Sequence, residues 1–286
     1  MDKKIHFIQK KIEIILKKKY SKNYIKLNIL PIIDYINSSN ENKFIIGGSQ
    51  GVGKSSLILI LKKTLEKFYE KKVLSLSLDD FYLSQKERKI LSQKEHELLL
   101  TRGVPGTHNI KNLIKTVKKF EKKLYPISLP IFDKLIDDTT KKKNVIKNQC
   151  NILILEGWCC GSNYINKEYL YKNINNLEKK FDKNFKWRNY YNNKLKNEYK
   201  KLFEMFDKKI FIKAPSFKYV LDWRLKQEIN NSSYSRFSKK MDIQEIKEFL
   251  QYYEKITKWM LKESKNNSDF LIFVNKNQKI YKTKIY

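Results

Sequence analysis

The strongest structural pattern in the chain is KFIIGGSQGVGKSS, residues 43–56. A short apolar run comes first, a loop with four glycines follows, and the chain continues into LILILKKTLEKFYE. The apolar run is typical of a buried strand, and the last segment has the length and composition of a helix. Four glycines between them indicate backbone that bends sharply or closely approaches a partner. The stretch therefore predicts a strand, a tight loop and a helix in immediate succession.

The glycine loop fits the phosphate-binding pattern G-x-x-x-x-G-K-[ST], the P-loop, from Gly48 to Ser55. In such a loop backbone N–H groups point at phosphate oxygens, and the helix N-terminus adds partial positive charge. We expect Lys54 to reach the β and γ phosphates of ATP and the Ser55 hydroxyl to hold Mg²⁺. A glycine-rich turn without a ligand is the alternative. The expected nucleotide-binding residues are Gly48, Ser49, Gly51, Val52, Gly53, Lys54, Ser55 and Ser56.

Two later segments end in acidic side chains. In VLSLSLDDFY, residues 73–82, leucines alternate with serines, which predicts a strand that leads into Asp79 and Asp80. Ligands of open α/β sheets bind at the carboxyl ends of strands, where Asp79 is expected to accept the proton of an attacking hydroxyl. Alternatively, one of the two carboxylates caps a helix. The apolar strand Ile152–Leu155 ends in Glu156, which we expect to polarise Mg²⁺ or its water shell.

Another pair of glycines lies in TRGVPGTHNI, residues 101–110. This tight loop carries Arg102, Thr107 and His108, three side chains that suit an anionic, hydroxyl-bearing small molecule. A simple helix-entry turn, with His108 as the cap, is the alternative interpretation. The loop is therefore a candidate for the acceptor side of a phosphoryl-transfer site.

Two arginines each follow a tryptophan. Arg224 lies in LDWRLKQE, on a predicted helix that follows an apolar strand. In small-molecule kinases a helix at this point closes over the transferring phosphoryl group, and we expect Arg224 to neutralise its charge. Surface stacking on tryptophan is the alternative for both arginines, and it is the favoured interpretation for Arg188.

The chain has 286 residues and a formal net charge of +31. Of its cations 56 are Lys and only five are Arg, and it has a single Ala. Because the enriched residues have A/T-rich codons, a base-composition bias accounts for the charge without any ligand. A nucleic-acid-binding NTPase is the alternative that the charge raises, but the lysines are spread along the chain rather than gathered in one stripe. We expect no specific nucleic-acid partner, and we regard Gly and Arg as the informative residues.

Cysteine usage and hydropathy favour a cytoplasmic protein. Three cysteines, two of them adjacent, make neither a disulfide framework nor a metal-site spacing, so a reducing cytosol fits. Lysines interrupt any signal-peptide core at the N-terminus, and no apolar run approaches the roughly 18 residues of a membrane span. The N-terminal segment instead predicts an amphipathic helix packed on the body, from apolar residues at helical spacing: Ile5, Ile8, Ile12, Ile15 and Leu16.

Together these motifs resemble the P-loop kinases of the uridine kinase, phosphoribulokinase and pantothenate kinase superfamily. The resemblance is strongest to the D-glycerate 3-kinase branch and runs from about Phe44 to Val274. Besides the P-loop, the segments that carry it are SLDDFYLS (77–84), RGVPGTH (102–108), PIFDKLIDD (130–138), LEGWCCG (155–161), WR (187–188), APSFKYVLDWRLKQE (214–228) and YYEKITKWML (252–261).

The resemblance implies an ATP- and Mg²⁺-dependent kinase that phosphorylates a hydroxyl of a small anionic metabolite, D-glycerate above all. Asp79 would be the base, Glu156 would lie near Mg²⁺, and Arg224 would close over the transition state. Another small acceptor, such as a nucleoside, a pantothenate-like compound or a sugar phosphate, is the alternative. The implied acceptor-binding residues are Asp80, Tyr82, Arg102, Thr107, His108, Asp133 and Lys134.

Apolar strands alternate with helical segments along the chain, which calls for a parallel sheet covered on both faces. We expect an α/β P-loop NTPase fold with α/β/α layers and a mostly parallel five-stranded sheet, its strands at 44–46, 73–78, 152–155, 210–212 and 270–274. Residues 1–40 are expected to form a helical N-terminal extension. The kinase domain would then span 41–286, with a helical insertion at 163–206.

Overall fold

The structure, a computed structural model, describes residues 1–231 and 242–286. Within these ranges eight strands form two sheets: β1 (Lys43–Gly48), β2 (Val73–Ser77), β3 (Ile127–Asp133), β4 (Asp138–Ile146), β5 (Ile152–Gly157), β6 (Lys208–Lys213), β7 (Phe270–Val274) and β8 (Ile280–Ile285). The same ranges contain twelve α-helices: α1 (Asp2–Leu16), α2 (Lys22–Asn28), α3 (Leu30–Ser38), α4 (Lys54–Tyr69), α5 (Gln85–Lys94), α6 (Ile110–Glu121), α7 (Lys167–Tyr171), α8 (Asn176–Phe181), α9 (Lys186–Lys194), α10 (Lys200–Phe203), α11 (Phe217–Asn231) and α12 (Ile243–Glu263).

The main sheet has six strands in the order β2-β5-β1-β6-β7-β8. The first five are parallel, and β8 pairs antiparallel with β7 at the edge. The predicted α/β fold with a mostly parallel sheet is confirmed, but the predicted count of five strands is wrong. The sixth strand, IYKTKI, carries Lys282 and Lys284, as is common at an exposed sheet edge, so it lacks the apolar run that marks the buried strands.

Alternating side chains of the buried strands cover both faces of the sheet. Phe44 and Ile46 of β1 belong to a core that includes residues of α1–α4 and α11. Ile45, between them, belongs to a second core with residues of α6, α9, α10 and α12. The sheet is thus the middle of three layers, and the carboxyl ends of its central strands open towards one edge.

The N-terminal amphipathic helix is confirmed. In α1 the side chains of Ile5, Ile8 and Ile12 are buried, and the ring of Phe7 contacts Phe68 of α4 edge to face, with centroids 5.3 Å apart. The helix therefore packs on the outer side of the helix that follows the P-loop. None of the described helices is long and apolar enough to cross a membrane.

A two-stranded hairpin of β3 and β4 stands apart from the main sheet, and the sequence did not predict it. Leu129 and Phe132 of β3 are buried, whereas most of β4 is exposed. The turn between the strands brings Lys134 to the end of β2, where its Nζ lies 2.6 Å from Oδ2 of Asp79. The hairpin thus adds a cationic side chain to the edge of the main sheet.

Buried charges connect α12 to the helices of the predicted insertion. Arg188 on α9 is fully buried, and its Nε donates to Oδ2 of Asp182 at 2.7 Å. Its guanidinium also lies 3.5 Å from Glu178, which pairs with Lys255 of α12 at 3.3 Å. The surface interpretation of Arg188 is therefore wrong, and the residue has a structural role.

Replacing Arg188 with Met is expected to destabilise the fold by about 3–5 kcal/mol, because it leaves the buried Asp182 carboxylate without its cation and Glu178 with Lys255 alone. Urea unfolding followed by circular dichroism measures the loss. Lys200→Met is the matched control, since Lys200 forms an exposed pair with Glu204 at 3.7 Å and should change stability by less than about 0.5 kcal/mol. Equal, small losses in both variants would contradict the structural role of Arg188.

Candidate functional site

The carboxyl ends of β1, β5 and β2 lie side by side, because these strands are parallel neighbours. In the pairing register, Ile46 of β1 and Ser77 of β2 both align with Glu156 of β5. The chain that leaves β1 therefore enters the P-loop beside Glu156, and the chain that leaves β2 reaches Asp79 two residues later. Strand register alone gathers the three segments at one edge, where open α/β sheets bind ligands.

Lys54 is the first residue of α4 and lies across its own loop. Its Nζ donates hydrogen bonds to the carbonyl oxygens of Gly48 at 2.8 Å and Ser49 at 2.9 Å. Burial lowers the pKa of Lys54, and the nearby carboxylates of Glu156 and Asp79 oppose that shift. The ammonium group is thus held between the loop backbone and the acidic ends of the neighbouring strands.

Several polar atoms of the P-loop are buried without a hydrogen-bond partner in the described part of the chain: the hydroxyl of Ser49 and both amide atoms of Gln50. Buried unpartnered groups are costly and rare, so they indicate a polar ligand at this place. Gly51 adopts a φ of +70°, and a Cβ there would lie 2.9 Å from that of Trp223. The loop therefore requires glycine, and its free donors fit the phosphates of a nucleotide.

Ser55 and Glu156 are the candidate cation ligands. The Ser55 hydroxyl donates to Oε1 of Glu156 at 3.2 Å, and Glu156 is buried. A hydroxyl and a carboxylate are the oxygen ligands that Mg²⁺ takes in nucleotide sites, where phosphates and water supply the rest. No cluster of three or more His, Cys, Asp or Glu side chains within residues 1–231 and 242–286 has the geometry of a metal site. The pair therefore fits Mg²⁺ that is carried largely by the nucleotide.

Asp79 lies in a short 3₁₀ turn, Leu78–Phe81, directly after β2. Its carboxylate accepts hydrogen bonds from Lys134 Nζ at 2.6 Å and from the Tyr82 hydroxyl at 3.0 Å. Burial acts to raise the pKa of Asp79, but Lys134 above all holds the pKa below its ordinary value of 3.8. The carboxylate is consequently ionised at neutral pH.

These segments surround a cavity of about 240 Å³. Two carboxylates and four cationic side chains line it, and this excess of positive charge suits anionic ligands. The cavity collects residues from seven separate segments of the chain. The lining residues that the sequence indicated are Gly51, Lys54, Ser55, Asp79, Tyr82, Arg102, Lys134, Glu156 and Arg224.

Four acceptor candidates lie outside the described lining of this cavity. The Thr107 hydroxyl accepts from the Gly103 amide at 3.0 Å and so braces the glycine loop. His108 is buried against Tyr199, with Nδ1 2.6 Å from that hydroxyl, and burial lowers the pKa of His108 to about 3.

The other two are acidic. Asp133 accepts a hydrogen bond from the Leu135 amide at 2.8 Å, within the hairpin turn. Burial raises the pKa of Asp80 to about 6. None of the four is among the described residues that line the cavity, and direct acceptor contact by them stays a prediction.

Asp137 is a site residue that the sequence analysis missed. It lies in the hairpin turn and forms ion pairs with Arg102 and with Arg88, whose NH2 is 2.7 Å from Oδ2. Both guanidinium groups also lie over the ring of Phe132, at 5.6 and 5.7 Å from its centroid. One carboxylate thus orients two arginines, one of which lines the cavity. The paired Asp in PIFDKLIDD was visible in the sequence, but its partners are distant along the chain.

Aromatic residues close the remaining side of the cavity, and they were also missed. Tyr253 of α12 donates to the Arg102 carbonyl at 2.9 Å, and Trp158, after β5, donates to the Gly103 carbonyl at 3.1 Å. A side chain at Gly103 would overlap the Tyr253 ring. Phe249, one turn before Tyr253, lines the cavity as well. Gly103, the first glycine of RGVPGTH, is thus required because α12 packs closely against it.

Comparison with known proteins relates this chain to ATP-dependent kinases. The probable ATP-dependent kinase TDA10 of Saccharomyces cerevisiae is 29% identical over 263 residues, which cover 83% of this chain and 86% of the relative. The uncharacterized kinase mug58 of Schizosaccharomyces pombe is 29% identical over 228 residues, 73% of this chain and 78% of the relative. The chain is a homologue of ATP-dependent P-loop kinases. No family model matches it.

A solved structure supports the fold of the kinase. The D-glycerate 3-kinase of Cryptococcus neoformans superposes with a TM-score of 0.72 and covers 90% of this chain and 96% of its own. The two are 24% identical in sequence, so the likeness concerns the fold.

Replacing Lys54 with Met in the kinase should weaken ATP binding by about 10- to 100-fold, because charge-assisted hydrogen bonds contribute roughly 1.5–3 kcal/mol. Isothermal titration calorimetry measures the affinity. Lys63→Met is the matched control, since Lys63 is exposed on the same helix, and it should bind ATP like the parent protein. Unchanged affinity in the Lys54 variant would contradict its assignment to the phosphates.

Proposed function

We propose that this kinase transfers the γ-phosphate of ATP to a hydroxyl of D-glycerate, with Mg²⁺ as its cofactor. The observation that carries the proposal is the juxtaposition, in one small cavity, of the Asp79 carboxylate with the cations Lys134 and Arg102. A small hydroxy acid needs both, since its hydroxyl requires an acceptor and its carboxylate requires cations. The fold shared with a D-glycerate 3-kinase supports this choice.

On the donor side, the P-loop amides and Lys54 would hold the β and γ phosphates. Ser55 and Glu156 would hold Mg²⁺, which neutralises phosphate charge when it is bound. Arg224 lines the same cavity from the middle of α11, the helix after β6. In the sheet order β6 and β5, the strand of Glu156, lie on opposite sides of β1. Its guanidinium is suited to stabilise the charge of the transferring group.

On the acceptor side, Asp79 would orient the hydroxyl and receive its proton. The hydroxyl oxygen forms a bond to the γ phosphorus, the bond from that phosphorus to the bridging β–γ oxygen breaks, and ADP leaves. Lys134 now occupies one oxygen of Asp79, but its side chain is 58% exposed and can turn. When the carboxylate of the acceptor draws Lys134 away, that oxygen becomes available for the hydroxyl.

Water must be excluded if the acceptor is to compete with hydrolysis. Phe249 and Tyr253 of α12, with Trp158, form the apolar side of the cavity. Tyr253 and Trp158 also fix the loop that carries Arg102, through the two carbonyl hydrogen bonds described above. The aromatic wall would therefore shield the reaction and position a cation for the acceptor. The three cysteines are free, which suits the cytoplasmic location that we propose.

An acceptor panel tests the proposed substrate. Purified kinase is expected to release ADP in a coupled assay with D-glycerate, well above its rate without an acceptor. Pantothenate, uridine and a sugar phosphate should give only the background rate, because they lack a carboxylate this close to the reacting hydroxyl or exceed the cavity. Phosphorylation of one of these compounds but not of glycerate would overturn the substrate assignment and leave the kinase assignment intact.

Replacing Lys134 with Met should move the acidic limb of the kcat/KM profile to higher pH. Lys134 is the main cause that lowers the pKa of Asp79, and without it the effect of burial raises that pKa. The base form of Asp79 would then be lost as pH falls through a higher value. Lys142→Met, on the exposed strand of the same hairpin, is the control and should leave the limb in place.

Asp79→Asn provides the complementary measurement. It should lower kcat by about 10²- to 10⁴-fold, the range of general-base contributions, and abolish the limb in the residual activity. An unmoved limb in Lys134→Met together with near-normal kcat in Asp79→Asn would contradict the assignment of Asp79 as the base.

A further inference from the structure

Tyr199 is a fully buried residue whose hydroxyl reaches the loop that carries His108. It ends a single π-helical turn, Leu195–Tyr199, between α9 and α10. Turns of this kind are rare in proteins and often mark functional sites. We propose that Tyr199 is a positioning residue: it fixes the tautomer and the place of His108 and, through that ring, the orientation of Asp79. The inference rests on the proposed use of Asp79 as the base.

The Tyr199 hydroxyl decides which nitrogen of His108 carries the proton. It accepts a hydrogen bond from the Gly106 amide at 3.0 Å and lies 2.6 Å from Nδ1 of His108. Burial raises the pKa of Tyr199 well above its ordinary value of 10, so the hydroxyl keeps its proton. The described part of the chain offers that proton no acceptor other than Nδ1. The hydroxyl therefore donates to Nδ1, and the neutral imidazole carries its own proton on Nε2.

The second nitrogen of the His108 ring is a buried donor. Its Nε2 makes no hydrogen bond within residues 1–231 and 242–286. Folded proteins rarely leave a buried polar group unsatisfied, and each exception calls for an explanation. The charge of Asp79 opposes the fall in the pKa of His108, so the ring lies close to the proposed base. Packing alone does not account for an unsatisfied imidazole at this place.

Tyr82 connects His108 to the base. The two residues face each other across an antiparallel bridge, and their rings are stacked with centroids 4.4 Å apart. The ring of Phe132, on β3, contacts Tyr82 edge to face, with centroids 5.1 Å apart. Two neighbouring rings thus confine Tyr82, whose hydroxyl donates to Oδ1 of Asp79 at 3.0 Å. A shift of His108 would be passed to Asp79 through this stack.

The two oxygens of Asp79 consequently have different partners. Oδ1 is held by Tyr82, which is buried, whereas Oδ2 is held by Lys134, whose side chain is 58% exposed. Tyr82 is therefore the fixed partner and Lys134 the replaceable one. When Lys134 turns towards the acceptor, Oδ2 is the oxygen that receives the proton of the hydroxyl. The bond to Oδ1 then keeps Oδ2 in a constant direction, as proton transfer requires.

Nitrogen-15 NMR of histidine-labelled protein, without any ligand, measures the tautomer directly. The chain has three histidines, and replacement of His6 and His96 with Gln, one at a time, assigns the signals. His108 should carry a proton on Nε2 and none on Nδ1 at neutral pH. A proton on Nδ1 instead would overturn the proposal. This measurement on the unmodified protein decides the result if variants of Tyr199 do not fold.

Tyr199→Phe keeps the ring and removes the hydroxyl. Because Nδ1 of His108 then loses its donor, the spectrum should change from one Nε2–H form to a mixture of both tautomers. Tyr191→Phe is the matched control, since Tyr191 is buried on α9 and its hydroxyl has no hydrogen-bond partner among the described residues. The His108 signals of this control should match those of the parent protein.

Steady-state kinetics measure the effect on Asp79. Tyr199→Phe should lower kcat by about 10- to 100-fold, because a displacement of about 1 Å at a reacting group can cost on the order of 10²-fold in rate. The KM for ATP should not change, since the P-loop is untouched, and Tyr191→Phe should behave like the parent. Parent kcat in a folded Tyr199→Phe protein would overturn the positioning role.

Failure of the proposed substrate gives a different result. The kinetic assay uses D-glycerate or, if glycerate is not phosphorylated, the compound of the acceptor panel that is. A Tyr199-dependent kcat with that other compound would contradict the glycerate proposal and support the positioning role.

Discussion

The register of three parallel strands is the constraint on which the site depends. Because β5 lies between β2 and β1, the last residues of all three strands meet at one edge. Gly47 at the end of β1 aligns with Gly157 of β5, and a Cβ at Gly47 would overlap the carbonyl oxygen of Cys160. Glycine at this position lets the loop after β5 pass close to β1, while the strand register places Lys54 near Glu156 and Asp79. A slip of one residue would reverse the faces of a whole strand.

Around this edge the charges are balanced by segments from elsewhere in the chain. The β3–β4 hairpin contributes Lys134 to Asp79 and Asp137 to two arginines. The helix α12 closes the site with aromatic rings and is itself anchored by the buried pair of Lys255 and Glu178. The elements that surround the cavity are therefore held by ion pairs, which orient cations more specifically than apolar packing does. The same ion pairs thus stabilise the hairpin and position the cations proposed to bind the acceptor.

Local sequence was sufficient for the part of the site that is local in the chain. The P-loop motif, the buried strands and the carboxylates at their ends follow from short patterns, and parallel pairing then brings them together. The glycines that survive a strong compositional bias proved informative, because Gly47, Gly51 and Gly103 each touch another element. Arginine residues were less informative, because they occur both in the cavity and in the buried core. Arg102 lines the cavity, whereas Arg188 is a structural residue inside the fold.

What local sequence could not predict depends on partners far along the chain. The edge strand β8 and the lysine-rich β4 lack apolar runs, since each is stabilised mainly by pairing with one neighbour. The roles of Asp137 and Tyr253 likewise appear only when remote elements meet. A crystal structure with Mg²⁺ and a non-hydrolysable ATP analogue is the most direct test of the assembled site. It should show β and γ phosphate oxygens within about 3.2 Å of the backbone amides of residues 48–55, with the γ-phosphate facing Asp79. A triphosphate bound away from this loop, or a γ-phosphate directed away from the cavity that Asp79 lines, would contradict the assignment.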